Sequence, residues 1–115
     1  MATSLKQLGN VYTPSFLVKN ILDFGGYEKN ILCKNVIDNS CGDGAFLMEI
    51  VDRYCRAGLE EQEDILKLKK QLETYIHGIE IEKQAVGKCK RNLDNIALKY
   101  GIKNTLWEKM EKNFN

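Results

Sequence analysis

The sequence predicts an α/β chain built around a few parallel strands, and three observations carry that expectation. A β-rich stretch at 36–38, "VID", passes through the loop "NSCGDG" directly into an apolar-periodic run, "AFLMEIVDRYC". A second β-rich stretch, "YIHGIEI" at 75–81, opens into a long amphipathic run at 82–100. Between them lies further helical patterning, "LEEQEDILKLKKQLETY". Strands joined only through helices are parallel, because a parallel pair needs a crossover connection. At 115 residues the chain is one domain or part of one.

Residues 1 to 12 have no strong periodicity and read as an irregular arm. Thr13 is a good helix N-cap, and Pro14 suits the first helical position, where a missing N–H costs nothing. Phe16, Leu17, Ile21 and Phe24 fall at helical spacing and Gly25-Gly26 supplies a stop, giving a helix over 14–24. "NVID" at 35–38 reads as a short buried strand. A helix follows from 45 to 57, closed by Gly58.

An additional helix is expected at 60–73, with Ile65, Leu68 and Leu72 inward and Glu63 paired with Lys67 one turn on. In the helix at 82–100, Ala85, Cys89, Leu93, Ile96 and Tyr100 face inward, and Gly101 ends it. Gly87 weakens its first turns by about 1 kcal/mol relative to alanine. Residues from 102 could begin a third strand that lacks its continuation. No repeat, low-complexity tract or linker is visible.

Composition excludes several classes. A net charge of +1 makes no global electrostatic case for nucleic acid or an anionic membrane. No apolar run approaches the ~20 residues that span a bilayer, and the N-terminus lacks the apolar stretch of a secretory signal. Cys33, Cys41, Cys55 and Cys89 form no C-x-x-C pair, and His77 is the single histidine. That argues against a structural zinc site and fits reduced thiols in a cytoplasm. His77 reads as a strand-face residue, Trp107 as a core or interface anchor, and Lys83, Lys88, Lys90 and Arg91 as solvated helix surface.

The loop is the chemical clue. Gly42 and Gly44, two apart between a strand and a helix, let a ligand approach the main chain. A dinucleotide loop wants a third glycine where this chain has Leu47. Asp38 and Asp43 flank the loop and would repel a pyrophosphate. A Walker phosphate loop fails for want of Gly-Lys-Ser/Thr. A cationic or zwitterionic group fits better. Glu80, at the end of the second strand, can accept bonds from both ribose hydroxyls. In a plain βαβ unit that acid comes about 20 residues after the loop; here the additional helix accounts for the longer interval. Ile81 beside it could pack on a purine face. Together these features suggest S-adenosylmethionine.

Three stretches then resemble one family. "DNSCGDGAFL" resembles the Asp-Pro-x-Cys-Gly-x-Gly-x-Phe-Leu motif of amino-type DNA methyltransferases, the restriction–modification enzymes that methylate adenine N6. "GNVYTPSFLVKNIL" resembles their Tyr-Thr-Pro segment, which precedes the glycine loop in the gamma arrangement. "IHGIEIEKQAV" resembles their Gly-x-Glu-Ile-Asp segment. The ordered set covers residues 9 to 93.

The resemblance implies a partial S-adenosylmethionine-dependent methyltransferase fold of the Rossmann-like kind. It also implies a cofactor-binding set. Tyr12 and Thr13 would lie against the methionine moiety, Asp38 would face its ammonium, and Gly42 and Gly44 would underlie the cofactor. Phe46 would line the methyl-donor or target-base side. Glu80 would hold the ribose, with Ile81 against adenine. Cys41 belongs to the same motif, its thiol read as a small packing group with nothing nearby in sequence to lower its pKa.

The departures matter as much. Asn39 replaces the motif proline and Glu82 the motif aspartate, both mild changes. The family's catalytic tetrapeptide, Asn/Asp-Pro-Pro-Tyr/Phe, holds the flipped adenine, and a chain whose one proline is Pro14 does not contain it. The acid expected near adenine N6 has no clear counterpart; Glu108 and Glu111 are the candidates. No catalytic residue is therefore assigned.

The expectation is an N-terminal, cofactor-binding portion of a methyltransferase domain, cut before its catalytic half and inactive alone. Residues 1–34 would form the arm and Tyr-Thr-Pro helix, and 35–115 the first strands and helices of the sheet. Met1 reads as the natural start and "EKNFN" as an arbitrary or degenerate end. DNA would be the substrate of the full-length enzyme, bound weakly or not at all by this chain. The alternative is a non-catalytic subunit or assembly module, either a homodimer or a chain completed by a C-terminal polypeptide. Methyl transfer to RNA, protein or a small molecule, and dinucleotide oxidoreduction, fit the residues less well.

Overall fold

The computed structural model describes residues 14–38, 41–103 and 105. Their elements run in the order α1 (Ser15–Phe24), β1 (Val36–Asp38), α2 (Ala45–Glu60), α3 (Ile65–Tyr75), β2 (Ile76–Gly78) and α4 (Lys83–Lys99). The α/β order matches the sequence expectation. Tyr12, Thr13, Asn39, Trp107, Glu108, Glu111, the arm and most of the suggested third strand lie outside the described residues.

The two strands pair in parallel, Val36 opposite Ile76 and Asp38 opposite Gly78. β2 is shorter than its β-rich stretch at 75–81, yet hydrogen bonding continues past both strands. Ile79 N–H donates to the Asp38 carbonyl at 2.8 Å and Cys41 N–H to the Ile79 carbonyl at 3.1 Å. This extension draws the glycine loop alongside the segment that carries Glu80.

Helix α1 starts one residue later than expected. Pro14 is its N-cap, with ψ 144°, and the first helical residue is Ser15. Its end follows the expected glycine stop: Gly26 adopts φ 84°, and Tyr27 N–H closes back on the Leu22 carbonyl at 2.9 Å.

Gly58 does not end α2. It is buried within the helix, which runs on to Glu60. A methyl group on Gly58 would stand 2.6 Å from Leu68 Cδ1, so this glycine serves the close crossing of α2 and α3. The stop falls to Gln62, left-handed at φ 57°, with Glu63 N–H bonded to the Gly58 carbonyl at 2.9 Å. Helix α3 accordingly begins at Ile65, capped by the Asp64 side chain accepting from Leu66 N–H at 3.2 Å. The Glu63–Lys67 pair forms at 3.3 Å.

The core gathers Tyr54, Val51 and Leu47 of α2, Leu68 and Leu72 of α3, Ile76 of β2, and Cys89, Leu93 and Ala97 of α4, together with Ile102. Most of these are sealed from solvent, and α2 and α4 share the most extensive contact. Ala85, Ile96 and Tyr100 are only half-buried; Val86 and Ala97 take the deeper places on α4. Arg53 ties α1 to α2. It donates to Asp23 at 2.6 Å, Glu49 at 2.9 Å, and the carbonyls of Tyr27 and Lys19 at 2.9 and 3.2 Å. Among the described residues no helix is long and apolar enough to cross a membrane, and no group of acids, cysteines and histidines is placed to hold a metal.

Candidate cofactor site

The site lies beyond the C-terminal ends of β1 and β2, where ligands bind in open parallel sheets. Its floor is the loop from Cys41 to Gly44. Gly42 and Gly44 take left-handed φ of 55° and 98°, a region that costs an L side chain strain. The loop closes on itself through Gly44 N–H to the Cys41 carbonyl at 2.8 Å, then feeds α2 through Met48 N–H to the Gly44 carbonyl at 2.7 Å.

The two glycines have different reasons to be glycine. A methyl on Gly44 would stand 2.9 Å from Cys89 Sγ, so Gly44 is pressed onto α4. A methyl on Gly42 would meet none of the described residues within 4 Å. Gly42 is instead called for by its left-handed φ of 55°.

Glu80 crosses to this loop. Its Oε1 accepts the Gly42 N–H at 2.9 Å, over 38 positions of sequence, and its Oε2 accepts the Glu82 N–H at 3.2 Å. Two main-chain donors thus fix the carboxylate plane, while each oxygen keeps acceptor capacity for a second partner. Ile81, next along, is 85% exposed, an aliphatic side chain held in water beside a fixed carboxylate.

The other expected residues distribute unevenly. Asp38 ends β1 and is half-buried, close in the chain to the loop. Cys41 is buried, as expected of a packing thiol. Phe46 opens α2 with 6% exposure. Tyr12 and Thr13 lie outside the described residues. The structure thus brings Gly42, Gly44, Glu80 and Ile81 to one end of the sheet.

Asn92 was not anticipated. From the middle of α4 its Nδ2 donates to the Asp43 carbonyl at 2.8 Å, over 49 positions. The sequence signal available was slight: Asn92 lies three residues after Cys89 and so shares its helix face.

The chain matches the model of one protein family, N-6 DNA methylase, over residues 1–114. It belongs to that family. This N-6 DNA methylase chain is 32% identical over 101 residues to the Type II methyltransferase M.BstVI of Geobacillus stearothermophilus. That alignment covers 86% of this chain and 18% of the relative, so the chain spans under a fifth of the length of the curated protein it matches. No solved structure matches it significantly.

Proposed function

We propose that this chain binds S-adenosylmethionine across the ends of β1 and β2, as part of an enzyme of a restriction–modification system that methylates adenine N6 in DNA. The observation that carries the reading is the Glu80 carboxylate seated on the Gly42 N–H at 2.9 Å. It joins an acid suited to a ribose diol to a loop where a side chain on Gly42 would meet none of the described residues within 4 Å. Family membership and the relative's name support the methyl-transfer side of the reading.

The residues present fit the cofactor. Glu80 offers two oxygens to vicinal hydroxyls and, being anionic, makes the stronger charge-assisted kind of bond. Ile81 offers an exposed apolar surface to a purine face; covering it removes that surface from water. Asp38, at the end of β1, would attract the methionine ammonium, and the open side of Gly42 leaves room for the ligand. Tyr12 and Thr13 are proposed to contact the methionine end. Cys41 and Gly44 shape the loop, and Phe46 is proposed to border the methyl-donor side. The cofactor itself supplies an electrophilic methyl group on a sulfonium. The sheet would then be the opening part of a Rossmann-like methyltransferase sheet.

Adenine N6 is a poor nucleophile, because its lone pair is delocalised into the ring. These 115 residues contain one proline and so lack the Pro-Pro tetrapeptide that would hydrogen-bond the attacking amino group. We therefore propose that the chain binds the methyl donor and does not transfer the methyl by itself. A second reading, a module completed by a partner chain, is favoured by one feature. Ile37, on β1 of the two-stranded sheet among the described residues, is 56% exposed, an apolar side chain on a sheet face that the described residues leave uncovered.

Calorimetric titration with S-adenosylmethionine, with NAD as the control, tests the main reading. Binding of S-adenosylmethionine alone, reduced at least tenfold by Glu80→Ala through loss of charged hydrogen bonds (about 1.5–3 kcal/mol), is expected. Binding of NAD, or affinity unaffected by Glu80→Ala and Asp38→Ala, would remove the assignment.

A further inference from the structure

Building on that cofactor reading, we propose that Asn92 is a positioning residue, holding the glycine loop in the turn that presents Gly42 to Glu80. The Asp43–Gly44 peptide is fastened on both sides. Its carbonyl accepts from Asn92 Nδ2 at 2.8 Å, and its N–H donates to the Cys41 carbonyl at 2.8 Å. Gly44, at one end of this plane, and Gly42, one residue before its other end, are both left-handed. Glycines have the widest backbone freedom of any residue, so a loop built on them keeps one shape only where outside groups hold it.

Helix α4 supplies that hold from a rigid base. Cys89 and Leu93 are fully buried on either side of Asn92 in sequence, so the carboxamide leaves an anchored part of the helix. Cys89 Sγ also sets how closely Gly44 can approach α4. The loop is therefore held at two peptides, Cys41–Gly42 and Asp43–Gly44, with one peptide between them. Glu80 takes the N–H of Gly42 and Asn92 takes the carbonyl of Asp43. Both holders belong to one continuous segment, β2 through α4. A ligand drawn to Glu80 thus meets a loop already set in register by the helix that follows Glu80.

Asn92→Asp is the sharpest probe. It preserves size, removes the donor, and turns a carboxylate oxygen towards a carbonyl. In the full chain, titrated with S-adenosylhomocysteine, Asn92→Asp and Asn92→Ala are expected to weaken binding about fivefold or more, the worth of one hydrogen bond. Amide exchange at Gly42 and Gly44 of the ligand-free protein is expected to accelerate, while that of core amides such as Val51 and Leu93 stays unchanged. In a Glu80→Ala background the Asn92→Asp loss should shrink, since the loop then has no carboxylate to meet.

Unchanged affinity together with unchanged loop exchange would overturn the proposal. So would acceleration spread evenly through the core, the mark of a merely structural residue. If the wild-type chain binds no S-adenosylhomocysteine, the cofactor reading falls, and the exchange contrast at Gly42 and Gly44 still decides whether Asn92 sets the loop.

Discussion

Gly58 of α2 and Leu68 of α3 are in contact at a point where no side chain fits between the helices. A methyl on Gly58 would stand 2.6 Å from Leu68 Cδ1, 3.2 Å from Cδ2 and 3.4 Å from Cγ. Leu68 is fully buried, so its methyls can move aside only by pressing on a close-packed core. Gly58→Ala gains helix propensity of about 1 kcal/mol but overpacks the crossing, at a cost of about 1–3 kcal/mol. Net destabilisation of about 1 kcal/mol, seen as a lower urea midpoint with an unchanged slope, is expected. An unchanged or raised midpoint would show that α2 and α3 do not cross this closely.

The same substitution at Gly87 should have the opposite sign. This glycine lies in the first turns of α4 with ordinary helical backbone, and among the described residues a methyl there would approach the Arg91 guanidinium, at an ordinary 3.6 Å. Gly87→Ala should stabilise by about 0.5–1 kcal/mol, through helix propensity and a less flexible unfolded chain. Measuring it beside Gly58→Ala separates propensity from packing.

At Gly44 two penalties add. A side chain would have to hold φ 98° and would clash with Cys89 Sγ at 2.9 Å. Gly44→Ala should cost about 2 kcal/mol or more of stability from the strained backbone and overpacking together. Adding Cys89→Ala removes the sulfur and should recover the steric share while leaving the backbone share. A double variant no more stable than the sum of the two single changes would show that the loop does not rest on Cys89.

Alkaline pH should unfold the chain in a defined window. Burial pushes the Cys55 thiol up from 9.0 to about 12, with the Asp52 charge adding to it. Burial likewise raises the Tyr54 phenol to about 12, and the Tyr100 phenol to about 12 with help from its hydrogen bond to Asp52. Tyr27 is raised too, again chiefly by burial. In the unfolded chain these groups release protons from about pH 9 upward, whereas the folded state keeps them until about pH 12. The stability they contribute is therefore fully present below about pH 9 and declines as pH rises towards 12. Urea unfolding at about pH 8 and about pH 11 should show the loss, and Cys55→Val should make the early part of the decline shallower. A flat profile would mean that these groups are accessible in the native state.

Much of the architecture is legible in the sequence because its signals are local. The helix endings at Gly26 and Gly101 need only a residue that tolerates positive φ, which glycine is, and Ile102 N–H closes on the Ala97 carbonyl at 3.1 Å as such an ending requires. Gly58 looked like another such ending, and local signals could not say otherwise. A glycine that ends a helix and one that admits a neighbouring helix are the same letter, and only the position of Leu68 separates them. Helix α3 starts at Ile65, later than the expected residue 60, for a related reason. Glu60 to Glu63 are good helix formers, yet Gln62 adopts a left-handed turn and Asp64 offers a better cap.

The sequence by itself determined the order of elements, the parallel sense of the strands, the glycine loop, and the family that its ordered motifs resemble. Each rests on signals carried by residues within a few positions of one another, read in their order along the chain. Only the tertiary structure decided which loop amide Glu80 meets, that Gly44 and not Gly42 is pressed onto α4 among the described residues, and that Asn92 reaches the Asp43 carbonyl. Those contacts join positions 38 and 49 residues apart. They depend on how far the strand pairing extends and on how closely helices pack, which periodicity along one element does not encode.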